Sequence, residues 1–336
     1  MNNSETWLML LAAVAAAVLS AGLTWAIRPL LDKHALAKPN ARSSHRVPTP
    51  QGAGIAVIAA TLAIAGAVLT GIERFDSNLP PAIFGATLFI AIVGFADDLK
   101  SIPVVTRLLL QGVAVGAILV AAPGELRIVP AMPLWIERGL LLLAGLWFVN
   151  LVNFMDGLDW MMVAEIVPVT AAMTALGWLG EFPQMPAIMA AALCGAMIGF
   201  APFNRPVATI FLGDVGSLPI GLLLGWCLLE LAWHQHLAAA LLLPLYYLSD
   251  TTVTLLLRVI RREPFWAAHR SHFYQRATDN GFTVLRVVSE VFLLNLVLAA
   301  LAIASIGMQS TAIDTALILA GAAAVGFSMY RFSRPR

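Results

Sequence analysis

Apolar residues run along this chain in stretches of roughly 17 to 25, the length a helix needs to cross a hydrocarbon core about 30 Å thick. Short polar connections separate them. Eleven such stretches occur, at 7–27, 54–70, 80–96, 108–122, 139–152, 161–179, 186–203, 218–233, 237–257, 287–306 and 311–330, the fourth and fifth being the shortest. The pattern predicts an all-α, polytopic membrane protein with about eleven transmembrane helices. The first stretch has no basic residue ahead of it, only Glu5, and is long enough to span, so it reads as a retained helix and not as a cleaved signal.

Composition agrees with this reading: 60% of the 336 residues are hydrophobic and 12% charged, far from the balance of a soluble domain. Cys194 and Cys227 both fall inside apolar stretches, which argues against a disulfide framework or a thiolate metal site. No internal repeat, low-complexity tract or long polar linker divides the chain, so residues 1–336 are read as one domain.

The net charge of +1 is uninformative, but its distribution is not. If eleven helices alternate, seventeen Lys and Arg residues fall on the side of the C-terminus, and only Arg74, Arg127 and Arg138 on the other. Basic loops stay in the cytoplasm. The C-terminus is therefore expected to be cytoplasmic and the N-terminus outside.

Five polar patches fall on that cytoplasmic side: KPNARSSHRVPTPQGAG at 38–54, GFADDLK at 94–100, NLVNFMDGLD at 150–159, FLGDVGS at 211–217 and HRSHFYQR at 269–276. Asp97 and Asp98 close a helix at its negative dipole end, where two carboxylates call for a positive partner. Lys100 at a solvated helix end would supply one; a bound cation with substrate phosphate would supply another. Asn150, Asn153 and Asp156 recur every third residue and lie near one another if the fifth helix reaches them. Turn chemistry explains Asp156-Gly157 but not two asparagines in the last turns of an apolar helix. Asp214, just before the eighth helix, reads as its N-cap, a task compatible with metal ligation. His269 and His272, with Arg270 and Arg276 close by, could present imidazoles and a guanidinium to a diphosphate, or could form a basic segment on anionic headgroups. Asp250, inside the ninth stretch, is either functional or structurally paired.

In this order and spacing the five patches resemble the polyprenyl-phosphate N-acetylhexosamine-1-phosphate transferases, over residues 38–276. That superfamily includes phospho-MurNAc-pentapeptide translocase and undecaprenyl-phosphate GlcNAc-1-phosphate transferase. The resemblance implies that Asp97, Asp98 and Asp156 are catalytic, that Asn153 and Asp214 hold Mg²⁺ (Mn²⁺ being an alternative), and that Asp159 reads uracil. It further implies substrate binding by Asn150, His269, Arg270, His272 and Arg46. HRSH in place of three consecutive histidines, with eleven helices instead of ten, resembles the branch that initiates O-antigen and related surface polysaccharides. Ala37 and Ser101 stand where relatives often carry acids.

The implied reaction is attack of a polyprenyl-phosphate oxygen on the β-phosphorus of a UDP-N-acetylhexosamine, releasing UMP, at the cytoplasmic face of a bacterial inner membrane. One phosphoanhydride replaces another, so no ATP loop is needed, and GxxxxGK(S/T) is absent. The expected partners are the UDP-sugar, the lipid phosphate and the membrane, with a homodimer left open and no nucleic acid. An ion-coupled transporter is the alternative, but it would place its polar groups at mid-membrane in both halves of a repeat. The DGxxAR signature of CDP-alcohol phosphotransferases is missing.

Overall fold

The computed structural model describes residues 3–37, 48–71, 79–263, 269–308 and 310–336. Helix α1 (Asn3–His34) leads into a two-residue strand, β1 (Leu36–Ala37), antiparallel to β2 (Thr49–Pro50). Helices α2 (Gly54–Gly71), α3 (Leu79–Leu99), α4 (Val104–Ala121), α5 (Leu134–Phe154), α6 (Met161–Leu179), α7 (Gln184–Phe200) and α8 (Asp214–Trp233) follow. The chain ends with α9 (Leu237–Leu242), α10 (Leu245–Ile260), α11 (Phe273–Asp279), α12 (Val284–Met308) and α13 (Thr311–Phe332).

Each apolar stretch lies on helix. Among the described residues nine helices, α1 to α6, α8, α12 and α13, have the length and apolar character to cross a bilayer, and α7 is apolar but shorter. The stretch at 237–257, expected as one helix, is two. Pro244 has no N–H to give and its ring crowds the preceding turn, so α9 ends and α10 starts afresh at Leu245. Helix α5 reaches beyond the apolar core expected for it because its polar ends are partnered. Glu137 at the start accepts from Arg127 Nε (2.6 Å) and Ile128 N (2.6 Å). Near the other end Asn150 pairs with Gln111 of α4.

Helix α8 is the hub, almost wholly buried against α2, α3, α5, α7 and α9. Its first turn is approached closely by two others. A Cβ on Gly54 of α2 would overlap the backbone of Gly216, and one on Gly94 of α3 would overlap the carbonyl of Asp214. Only the missing side chains let three helix ends meet there, which brings the polar patches of α3 and α8 together. Around this hub α1 packs along α7, α6 lies between α7 and α12, and α12 packs on α13. Leu109, Val120, Trp135, Leu143, Ile260 and Leu319 remain exposed, as a lipid-facing surface requires.

Candidate active site

The site forms where FLGDVGS turns into α8. Gly213 adopts φ +79, a left-handed conformation that aims the N–H groups of Asp214 and Val215 out of the helix end. Asp98 fills that position: its Oδ1 accepts from Asp214 N (2.9 Å) and its Oδ2 from Val215 N (3.0 Å). The expectation that Asp214 is the N-cap is therefore corrected. Asp214 is the first helical residue, and the cap comes from Asp98 on another helix, because a side chain at 214 cannot reach back to its own N–H.

The end of the first patch pairs with the same segment. Phe211 N donates to Pro50 O (2.8 Å) and Gly54 N to Leu212 O (2.8 Å). Gln51 Nε2 donates to the Asp98 backbone oxygen (3.0 Å) and lies 3.4 Å from its Oδ1.

Asp97 does something else. Its carboxylate accepts from Ile102 N (2.5 Å) and from Arg107 of α4 (2.6 Å), whose guanidinium is also 3.7 Å from Asp214. The positive partner of the aspartate pair is thus Arg107, ten residues on, and not the nearby Lys100. Arg107 Nε is buried and, among the described residues, meets no acceptor.

Asn153 arrives from the last turn of α5, and its Nδ2 donates to Asp214 Oδ1 (2.7 Å) and Ser217 Oγ (2.8 Å). Its amide nitrogen faces protein, and among the described residues its carbonyl oxygen meets no donor. Asn150 points elsewhere. It exchanges hydrogen bonds with buried Gln111 (2.6 and 3.4 Å) and gives another to Leu146 O (2.8 Å), tying α5 to α4.

Asp156 lies just past α5, with its N–H on Asn153 O (3.2 Å). Burial, then the charges of Asp98 and Asp159, push its carboxyl up to about 7. Asp159 is buried and accepts from Ala208 N (3.0 Å). Trp160, at φ 62, gives its N–H to Asn204 Oδ1 (2.8 Å), which locks this turn onto the segment before α8.

The fifth patch docks on the third. Tyr274 Oη donates to Phe154 O (3.0 Å), and a Cβ on Gly157 would overlap that oxygen. His272 is buried, its ring 5.0 Å from His269 and 6.3 Å from Phe154. Arg270 turns the other way, donating to Thr278 Oγ1 (2.9 Å) and lining a cavity of about 250 Å³ with Arg258, Arg261, Ser271 and Arg276. Arg46 lies outside the described residues.

Asp97, Asp98, Asp214 and Asp156 therefore share one locality, with one guanidinium among the described residues, that of Arg107. The polar patches left out Arg107, Gln111, Asn204 and Trp160. Only Arg107 carried a signal, as a cation at the start of an apolar stretch. Net negative charge of this kind invites a divalent cation. Among the described residues no trio of His, Cys, Asp or Glu side chains stands ready as a metal cage. Mg²⁺ does not need one, since it takes one or two carboxylates and completes its shell with water and phosphate oxygens.

The profile of glycosyl transferase family 4 matches residues 80–232, the span from α3 to the end of α8 that holds the aspartate pair, Asn153 and Asp214. Over that span, just under half of its length, the chain is similar to this family. Among the relatives of this chain is the decaprenyl-phosphate N-acetylglucosaminephosphotransferase of Mycobacterium tuberculosis. It is 29% identical, with 94% of this chain and 86% of that protein covered. A probable undecaprenyl-phosphate N-acetylglucosaminyl 1-phosphate transferase of Bacillus subtilis is 24% identical, covering 85% of this chain and 80% of its own. The phospho-N-acetylmuramoyl-pentapeptide-transferase of Ruegeria pomeroyi is 28% identical, covering 74% and 79%.

Proposed function

We propose that this membrane protein transfers N-acetylhexosamine-1-phosphate from a UDP-sugar to a polyprenyl phosphate, releasing UMP. The observation that carries the reading is the cluster at the first turn of α8, where Asp97, Asp98, Asn153, Asp214 and Arg107 meet. Relatives named as polyprenyl-phosphate sugar phosphotransferases along most of the chain support it. A mid-membrane ion pathway is disfavoured because the cluster sits at helix ends and not halfway along them.

The lipid-phosphate oxygen attacks the β-phosphorus, a new P–O bond forms, and the bond to the bridging oxygen breaks, its electron pair leaving on UMP. A phosphate monoester has its second pKa near 6, so the lipid arrives as an oxyanion and needs no carboxylate to stand in as nucleophile. Positioning and charge neutralisation do most of the work in such transfers. Asp98 holds the helix end in place. Asp97 orients Arg107, whose guanidinium faces the phosphates, and Asn153 and Asp214 supply oxygen ligands. Mg²⁺ bound there would offset the charge of the diphosphate. Asp156, with its raised pKa, can take up the residual proton of a lipid phosphate that arrives protonated. Asp159 is assigned to the uracil ring, and His269, His272 and Arg270 to the sugar phosphate.

The seventeen-to-three distribution of basic residues supports a cytoplasmic site in a bacterial cell membrane with the N-terminus outside. An O-antigen or related surface polysaccharide is the proposed end product. The metal assignment is tested with purified protein: Asp214→Ala should abolish turnover while still inserting and eluting as a folded species. Wild-type protein turning over at near-normal speed in chelator would refute the assignment.

A further inference from the structure

Asp250 lies in the middle of α10 and is fully buried. Its carboxylate gathers five donors from two elements. Oδ1 accepts from Phe273 N (3.0 Å), His272 Nδ1 (3.2 Å) and Thr254 Oγ1 (3.3 Å), and Oδ2 from Tyr274 N (3.1 Å) and Tyr246 Oη (3.2 Å). Two of these fix the backbone at the start of α11. The bond to His272 fixes something chemical. A carboxylate only accepts, so Nδ1 of His272 must carry a hydrogen, and in the neutral ring Nε2 is then the lone-pair nitrogen.

The ring cannot easily turn away from this arrangement. His269 stacks on it at 5.0 Å and Tyr274 at 5.7 Å, and Phe154, next to Asn153, lies 6.3 Å away. Among the described residues no hydrogen-bond partner meets Nε2. Backbone anchoring alone would need only the bonds to Phe273 and Tyr274; the third bond, to an imidazole stacked against His269 and Tyr274, sets a tautomer.

We propose that Asp250 is a positioning residue of the transfer reaction, holding His272 as the Nδ1–H imidazole with the Nε2 lone pair presented to a hydroxyl or amide N–H of the donor's N-acetylhexosamine. Asp250 itself touches no substrate. The inference rests on the assignment of His272 to the donor, and its test keeps the two apart.

The experiment has two readouts on the full-length protein in nanodiscs. The first is ¹⁵N NMR of histidine-labelled protein at about pH 8, where imidazole is neutral, with the His272 signals assigned by their loss in His272→Gln. The expected tautomer is Nδ1–H, and an Nε2–H tautomer in the wild type overturns the proposal whether or not any Asp250 variant folds. The second is a double-mutant cycle on kcat and KM for a UDP-N-acetylhexosamine. Asp250→Asn should cost about 10- to 100-fold in turnover, the usual loss when the orienting partner of a functional histidine is removed. In a His272→Gln background the same change should cost no more than about twofold, because residues acting as one unit are not additive, and Asp250→Glu should restore part of the single-mutant loss. Equal losses in both backgrounds would make Asp250 an anchor of α11 only and overturn the proposal. His272→Gln at wild-type turnover would instead remove the donor contact and the inference with it.

Discussion

Among the described residues Arg107 is the cation between two aspartates of different helices, and that position gives it a role to test at the scale of a single residue. It pairs with Asp97 at 2.6 Å and stands 3.7 Å from Asp214. If its fork also faces a diphosphate, Arg107→Ala should lower kcat by roughly 10²- to 10³-fold, the usual loss of one charge-stabilising donor. Arg107→Lys should recover only part, since an ammonium cannot hold a carboxylate and a phosphate in one plane. A radiolabel-transfer assay on both variants checks this, and a wild-type rate in Arg107→Ala would remove the residue from the site. Asp156 gives a pH test. Its carboxyl is raised to about 7 in the fold against about 3.9 in an unfolded chain. Burying it therefore favours the protonated form, so its contribution to stability is full below about pH 4 and is lost as pH rises through about 7. In metal-free protein Asp156→Asn should flatten the decline of thermal stability across that window, and an unchanged slope would contradict the shift. The clustering of Asp97, Asp98, Asn153 and Asp214 was legible as four polar residues at helix ends on one face. Their separate tasks were not. Which carboxylate caps α8 depends on contacts between residues over a hundred positions apart, and no local pattern encodes those.

Helix ends carry the site, so the packing of elements decides whether it exists. Gly94 lets α3 rest on the first turn of α8, whereas Gly85, nine residues earlier on the same helix, faces open space. Gly94→Ala should destabilise by about 1–3 kcal/mol through overpacking and lower turnover, since it moves Asp97 and Asp98 off their partners. Gly85→Ala should be neutral or slightly stabilising in a thermal-shift measurement in detergent; equal effects of the two would contradict the close-packed hub. Hydrophobic run length located the helices long enough to cross a bilayer, because a bilayer leaves the backbone no alternative to satisfying itself. It misjudged their limits where polar residues are paired within the protein. Glu137 sits inside α5 because Arg127 meets it, and Pro244 splits a stretch whose apolar character is continuous.

At the scale of the whole molecule, the distribution of basic residues and the convergence of the polar patches support one proposal: that a single face of the bundle does the chemistry. Reporters fused after Lys100 and Arg276 should be cytoplasmic and one after Glu181 external, and a confident inversion of any of them would break that proposal. The central claim concerns which bond breaks. A sugar-1-phosphate transferase cleaves between the two phosphates and releases UMP, whereas a transferase of the bare sugar would cleave at the anomeric carbon and release UDP. The most direct measurement supplies purified protein with polyprenyl phosphate, Mg²⁺ and a UDP-N-acetylhexosamine labelled in its β-phosphate, then separates nucleotide from lipid. The account predicts β-label in the lipid and UMP in equal amount; label retained in released UDP would contradict it.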